Sequence, residues 1–368
     1  MARPYRSAIL LPLLVFAFLL AGIEVGVRMR VPHFASRDFF LTLFGDPPDN
    51  TPKDRQPLFE GDPVLFWRLR PNADRAIWDF TVVSTNAQGV RHDRPLGKKP
   101  PGRFRIVCVG DSVTFGYRVP LVFPDNPDAY DHQDAPYAGR LERMLRAQYP
   151  GRDIEVVALA VPGYTSFQGR MLLEQTIGWL EPDVVILSFG FNDVAQRPRP
   201  DNVVMAQDSV SVTLRRVLSS SQALLHLWRW YTERAALNPK AEQPVPAERV
   251  SRVDYVANMD AMVQLALQHG AKVLVVGAVY RDRTTNPQEA NRMGLYRATL
   301  QEAMRMENIP FLQIDELTED GAPGNKELFG EHIHPSSNGH QLMAERILAT
   351  LRERGMLRPL DDGSVAGS

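Results

Sequence analysis

The stretch Phe104-Arg105-Ile106-Val107-Cys108-Val109-Gly110-Asp111-Ser112-Val113-Thr114-Phe115-Gly116 runs an apolar, β-branched segment into a glycine and two small polar residues. From Ile106 to Val109 there is no polar alternation, the pattern of a strand buried on both faces. Four later runs read the same way: Val156 to Val161, Val184 to Phe189, Val273 to Val279 and Phe311 to Ile314. Amphipathic segments separate and follow them. Leu141, Met144, Leu145 and Tyr149 share one helical face, and Leu342, Met343, Ile347 and Leu351 share another, with the last helix stopping at Gly355. This alternation predicts an α/β fold, one parallel five-stranded sheet in a three-layer α/β/α sandwich with right-handed crossovers. Ligands of open parallel sheets sit beyond the carboxyl ends of the strands, so chemistry is expected in the loops that follow them.

The first such loop is Gly110-Asp111-Ser112. A glycine there permits a tight turn that presents the serine hydroxyl and its backbone N–H at the start of a helix. The ordinary reading of the tripeptide is a helix N-cap, since Asp and Ser both cap well. It is not a Gly-x-Ser-x-Gly elbow, because Thr114 takes the last position. The second strand leads into Val161-Pro162-Gly163-Tyr164 and the third into Gly190-Phe191-Asn192-Asp193. Both pieces have ordinary turn chemistry. The Gly163 and Asn192 amides can also join the Ser112 N–H around one spot where an acyl oxygen becomes negative. Asp193, so close to that spot, reads as structural, since its charge would oppose the oxyanion.

Near the C-terminus stands Glu331-His332-Ile333-His334-Pro335-Ser336. Pro335 biases His334 to an extended conformation, and Ser336 can cap the helix that carries Met343 and Ile347. A serine hydroxyl is a weak nucleophile until an imidazole takes its proton. The imidazole in turn needs a carboxylate on its other nitrogen, a role open to Glu331. Glu331, His332, His334 and His340 lack the helical His-Glu-x-x-His spacing of a zinc site, so no metal or other cofactor is expected. His332 and His340 read as surface or supporting residues.

As a set these residues resemble the SGNH (GDSL) hydrolase family. Its four blocks are a Gly-Asp-Ser turn, a lone glycine, Gly-x-Asn-Asp and Asp-x-x-His-Pro. Their counterparts here, in order, are Gly110-Asp111-Ser112, Gly163, Gly190-Phe191-Asn192-Asp193 and Glu331-His332-Ile333-His334-Pro335, within residues 104 to 355. The resemblance implies a flavodoxin-like fold, Ser112 as nucleophile, His334 as base, and Gly163 and Asn192 completing an oxyanion hole with Ser112. Glu331 departs from the family's usual Asp, although Ser-His-Glu triads work on other folds. The implied activity is hydrolysis of carboxylic esters, acyl or acetyl, through an acyl-enzyme on Ser112. Two alternatives stay open: an extracytoplasmic O-acyltransferase (O-acetyltransferase) acting on a polysaccharide, and a non-catalytic scaffold that keeps the fold. The expected partner is a small acyl ester or an acylated glycan.

The rest of the chain frames this domain. In its 368 residues, 42 basic and 43 acidic side chains nearly cancel, and no Lys/Arg-rich run is present, so nucleic acid is not an expected partner. The lone Cys108 excludes an intramolecular disulfide. Arg3 and Arg6 precede an uncharged stretch from Ser7 to Ile23, about 25 Å long as a helix. It reads as a membrane anchor or a cleaved signal. No Ala-x-Ala site clearly follows, and Val25-Gly26-Val27 extends the run past Glu24. These features favour an N-terminal transmembrane helix with the remainder extracytoplasmic (periplasmic).

The reading therefore divides the chain into an anchor (1–30), an extension (31–103), a hydrolase-type domain (104–356) and a tail (357–368). The extension has short β elements near Phe66 to Asn72 and Thr81 to Arg91 and is expected to pack beside the catalytic domain. An insertion spans 194–250. Its run from Val217 to Tyr231, with Leu224, Leu225, Leu227, Trp228 and Trp230, reads as a cap helix burying its apolar side, with a lid or a membrane-facing helix as the alternative.

Overall fold

The computed structural model describes residues 5–30, 58–62, 64–92, 94–122, 126, 131, 133–197, 200–203, 221–236, 247–281, 286–318, 325–331 and 333–361. The first part of the extension (31–57), residues 204–220 and the Pro-rich end of the insertion, His332 and the end of the tail lie outside these residues. The described residues fall into two compact units. One holds helix α1 (Tyr5–Arg30), residues 60–67 and the insertion helix, and the other holds the rest.

In the larger unit the five apolar runs form one parallel sheet. Its first strands are preceded by two small β elements. Phe59–Asp62 (β1) pairs with Phe66–Leu69 (β2), and Ala76–Trp78 (β3) pairs antiparallel with Thr81–Val83 (β4). Then follow β5 (Phe104–Gly110), the one-turn helix α2 (Ser112–Phe115), α3 (Tyr137–Gln148), β6 (Ile154–Ala160), α4 (Ser166–Leu180) and β7 (Val184–Ser188). A second one-turn helix, α5 (Phe191–Val194), leads to β8 (Gln196–Arg197) and the insertion helix α6 (Gln222–Ala236). The chain returns through β9 (Ala247–Glu248), which pairs antiparallel with β8. It continues with α7 (Arg252–Gln268), β10 (Lys272–Val276), α8 (Pro287–Met306), β11 (Phe311–Leu312) and α9 (Ser337–Glu353). A last turn, α10 (Arg358–Asp361), lies beyond Gly355, where the final helix was expected to stop.

The sheet order is β11-β10-β7-β5-β6, all parallel. Counting the sheet strands in chain order gives 2-1-3-4-5, the flavodoxin-like order, with its switch point at β5. Ile106, Cys108, Val156, Ile186 and Leu274 enter one apolar cluster with Leu141 and Leu145 of α3 and Met343, Ile347 and Leu351 of α9. The alternate residues Val107, Val109, Val157, Val185 and Leu187 are equally buried, on the side where α4 and α7 pack against each other. Burial on both faces explains the missing polar alternation. β10 ends earlier than its apolar run because Ala278 and Val279 leave the ladder yet stay buried.

One expectation needs correction. Among the described residues no helix is long and apolar enough to cross a membrane. The uncharged run from Ser7 to Ile23 lies within α1. It ends at Glu24, whose carboxylate accepts from Ser221 Oγ and the Gln222 and Ala223 N–H groups at the start of α6. The insertion helix is described for part of its apolar run. Leu225 is buried, but Leu224, Leu227 and Trp230 are exposed.

Candidate active site

β5 lies between β6 and β7, and Gly110 at its end is level with Ala160 on one side and Ser188 on the other. The loops carrying Ser112, Gly163 and Asn192 therefore leave three adjacent strands at one height. Gly110 is required by close approach: a Cβ there would sit 2.0 Å from Thr114 Oγ1 and 2.8 Å from Ser188 O. Asp111 is the cap of α2, its Oδ1 accepting from the Val113 N–H at 2.9 Å. Capping and presentation of the hydroxyl are thus divided between neighbours, and Ser112 keeps its side chain free of the cap. Burial pushes the Asp111 carboxyl up to about 6, against hydrogen bonds from Val113 and Asn192 that favour its charge.

The Ser112 Oγ lies 2.7 Å from His334 Nε2, and the opposite ring nitrogen, Nδ1, is bonded to Glu331 Oε1. Serine, imidazole and carboxylate are brought into one line across 222 residues of sequence. The His334 loop is fastened by the Gly330 N–H, which donates to His334 O at 2.9 Å, and by a β-bridge between Phe329 and Pro335. Ser336 caps α9, accepting from the Gly339 N–H as expected.

Gly163 adopts a φ of +81°, open to glycine at little cost. Its carbonyl accepts from Arg249 Nη1 at 2.7 Å. Among the described residues neither the Gly163 nor the Ser112 N–H has a hydrogen-bond acceptor. Asn192 Nδ2 donates to Tyr164 O at 3.0 Å and to Asp111 Oδ2 at 3.3 Å, which sets its amide beside the Ser112 turn. Asp193 turns the other way and is fully buried. Its Oδ1 accepts from the Ser166 N–H and Oγ, and burial pushes its carboxyl up to about 7.

His340 is not on the surface. It is fully buried in α9, with Nδ1 accepting from the Tyr137 N–H at 3.2 Å and its ring stacked on Tyr137. Burial, helped by the charges of Arg140, Arg91 and His334, pushes its pKa down to about 3. It falls on the same helical face as Met343, Ile347 and Leu351, a signal readable from the sequence.

The sequence reading missed three supports of the site. Arg249 bonds Gly163 O, Gln168 and Asp201 at once. Arg91 donates to the carbonyls of Phe115, Gly116 and Val119, holding the end of the nucleophile turn. Tyr117 stacks on the His334 imidazole with ring centroids 4.0 Å apart. Arg91 lies in the extension, in the same compact unit as the carbonyls it holds.

Residues 108–342 match the model of the GDSL-like Lipase/Acylhydrolase family. Among solved structures, a lipase/acylhydrolase from Enterococcus faecalis is 18% identical, covering 68% of this chain and 96% of its own, with a TM-score of 0.44. An acetylxylan esterase from Geobacillus stearothermophilus is 18% identical, covering 67% of this chain and 94% of its own, with a TM-score of 0.45. No curated protein matches significantly. The family match spans more than half of the chain, which therefore belongs to the GDSL-like lipase/acylhydrolase family, the SGNH type of ester hydrolase.

Proposed function

We propose that the protein cleaves carboxylic esters, acetyl or acyl, through a covalent acyl-enzyme on Ser112. The observation that carries this reading is the 2.7 Å contact between Ser112 Oγ and His334 Nε2, with Glu331 on Nδ1. Ser112 Oγ attacks the ester carbonyl carbon while His334 Nε2 takes the hydroxyl proton, and Glu331 holds the imidazolium that forms. The Ser112 and Gly163 N–H groups, with Asn192 Nδ2, donate to the resulting oxyanion. Of the two Asn192 bonds, the longer one to Asp111 is the one an oxyanion would compete for. Collapse breaks the bond to the alcohol oxygen, which leaves with the proton from His334. Water then attacks the acyl-enzyme, giving its proton to His334 and releasing the acid and free Ser112.

The acceptor in the second half decides the reaction. Water gives hydrolysis, and a sugar hydroxyl would give transfer to a glycan. Incubating the full chain with p-nitrophenyl acetate, with and without an oligosaccharide, tests both. Hydrolysis predicts acetate in every case, and acetylated glycan as the main product would overturn it. Turnover surviving in Ser112→Ala would refute the acyl-enzyme.

We further infer that the chain associates with a membrane through α1, with the catalytic domain extracytoplasmic (periplasmic). The support is the exposure of Phe16, Phe18, Leu19 and Met29 along that helix. Recovery of the full chain in the soluble fraction of its native cells would contradict it, as would protection of the catalytic domain from protease added to the periplasm.

A further inference from the structure

We propose that the β3–β4 hairpin of the extension is a positioning device for the catalytic imidazole, acting through Asp79 and the ring of Tyr117. This rests on His334 being the base. The imidazole is held in its own plane at both nitrogens, by Ser112 and Glu331, and a contact to its face is needed to fix its tilt. Tyr117 supplies that contact, with centroids 4.0 Å apart and planes 28° from parallel. Its backbone N–H donates to Ser112 O at 3.0 Å, so one residue registers nucleophile and base against each other.

The hairpin fixes the phenol from behind. The Tyr117 hydroxyl donates to Asp79 Oδ2, and Arg118 donates to both oxygens of the same carboxylate, at 3.2 and 3.3 Å. Trp78 packs edge-on against Phe115 and Tyr117. Backbone bonds stitch the two segments together: the Arg118 N–H donates to Thr81 Oγ1 and the Val122 N–H to Phe80 O, both at 2.8 Å.

The backbone at this junction is costly. Asp79 and Phe80, the two residues between the strands, have φ of +42° and +61°, and Arg118 has +57°. Two-residue hairpin loops with positive φ favour Asn-Gly or Asp-Gly, and a bulky phenylalanine in that region persists only where surrounding contacts hold it. Asp79 also lies before residue 108, where the family match begins, so this support is an addition to the family's domain.

The ring does a second thing. When the Ser112 proton reaches Nε2 the imidazole becomes a cation, and a phenol face bonded to a carboxylate attracts it. Among the described residues, the charged or titratable groups near the ring include Glu331 on its own loop, Asp79 and Arg118 behind Tyr117, and His340 of α9, whose pKa the His334 charge helps lower.

The test is steady-state turnover of p-nitrophenyl acetate by the full chain from about pH 5 to 9, with melting followed by circular dichroism. Tyr117→Leu should lower kcat about tenfold and move the acidic limb of kcat/KM down by about half a pH unit, with KM within about twofold. Tyr117→Phe and Asp79→Ala should each lower kcat about threefold, and the double variant should be no worse than Asp79→Ala alone, since both cut the bond between the phenol and the Asp79 carboxylate. Wild-type kcat and acidic limb in Tyr117→Leu would overturn the proposal. If that variant does not fold, additive kcat losses in Tyr117→Phe and Asp79→Ala would do so instead. Activity surviving in Ser112→Ala and His334→Ala would sink the triad itself, a separate failure.

Discussion

Replacing Arg249 by lysine probes a side chain that shapes the oxyanion site without touching substrate. The guanidinium is buried. Nε and Nη2 donate to the two Asp201 oxygens at 3.1 and 2.9 Å, Nη2 reaches Gln168 Oε1 at 2.8 Å, and Nη1 donates to Gly163 O at 2.7 Å. The Arg249 N–H bonds Ala195 O and the Val250 N–H bonds Asp193 O, so the same residue is tied to the Asn192 loop. A lysine ammonium keeps a charge against Asp201 but cannot fork. It gives up the bonds to Gly163 O and Gln168, each worth about 1 kcal/mol or somewhat more from a charged donor, for a stability loss of about 2–3 kcal/mol. Deleting an oxyanion donor costs about 10²–10³ in kcat, and a displaced donor costs part of that. Arg249→Lys is therefore expected to lower kcat by about 10- to 100-fold while KM for p-nitrophenyl acetate stays within about twofold. Arg249→Ala is less informative, because it strands the buried Asp201 carboxylate at a cost of about 3–5 kcal/mol. Wild-type kcat in a folded Arg249→Lys enzyme would show that the Gly163 loop is placed without the guanidinium.

Other outcomes follow from the same geometry. Glu331→Gln can still accept from Nδ1–H but cannot stabilise the imidazolium, so kcat should fall by about 10²–10⁴, and a loss under about tenfold would remove Glu331 from the triad. His340, pushed down to about 3 when folded, titrates near 6.5 when unfolded. Below that value the unfolded chain binds a proton the folded chain refuses, so stability is lost as pH falls, by about 2 kcal/mol at about pH 5. His340→Phe lacks this sensitivity, so its melting-temperature deficit relative to wild type should shrink between about pH 7.5 and 5, and a constant deficit would refute the assignment. Gly169→Ala places a Cβ 2.1 Å from Cζ of the buried Phe189 ring, so melting should show a loss of about 1–3 kcal/mol despite the better helix propensity of alanine.

The elements legible in the sequence were those set by local pattern. Unbroken apolar runs identified five strands because both faces of this sheet are covered, and the strand-end rule then pointed to Ser112, Gly163 and Asn192. Ser336, one residue ahead of its helix, could be read as a cap from chemistry alone. Tyr117 and Arg91 escaped because their partners, His334 and the carbonyls of residues 115–119, are defined only once the chain is folded. Arg249 escaped for the same reason, since folding brings it 86 residues back to Gly163. Asp111 and Ser112 had equal claims to the cap, and only the backbone geometry at Asp111 separates capping from nucleophile.

Fluorophosphonate labelling of the full chain, followed by peptide mass spectrometry, bears most directly on Ser112 as the activated nucleophile. A single adduct on the peptide containing Gly110-Asp111-Ser112, lost in Ser112→Ala and strongly slowed in His334→Ala, is the expected result. No adduct in the wild-type protein, or one that persists in Ser112→Ala, would contradict it.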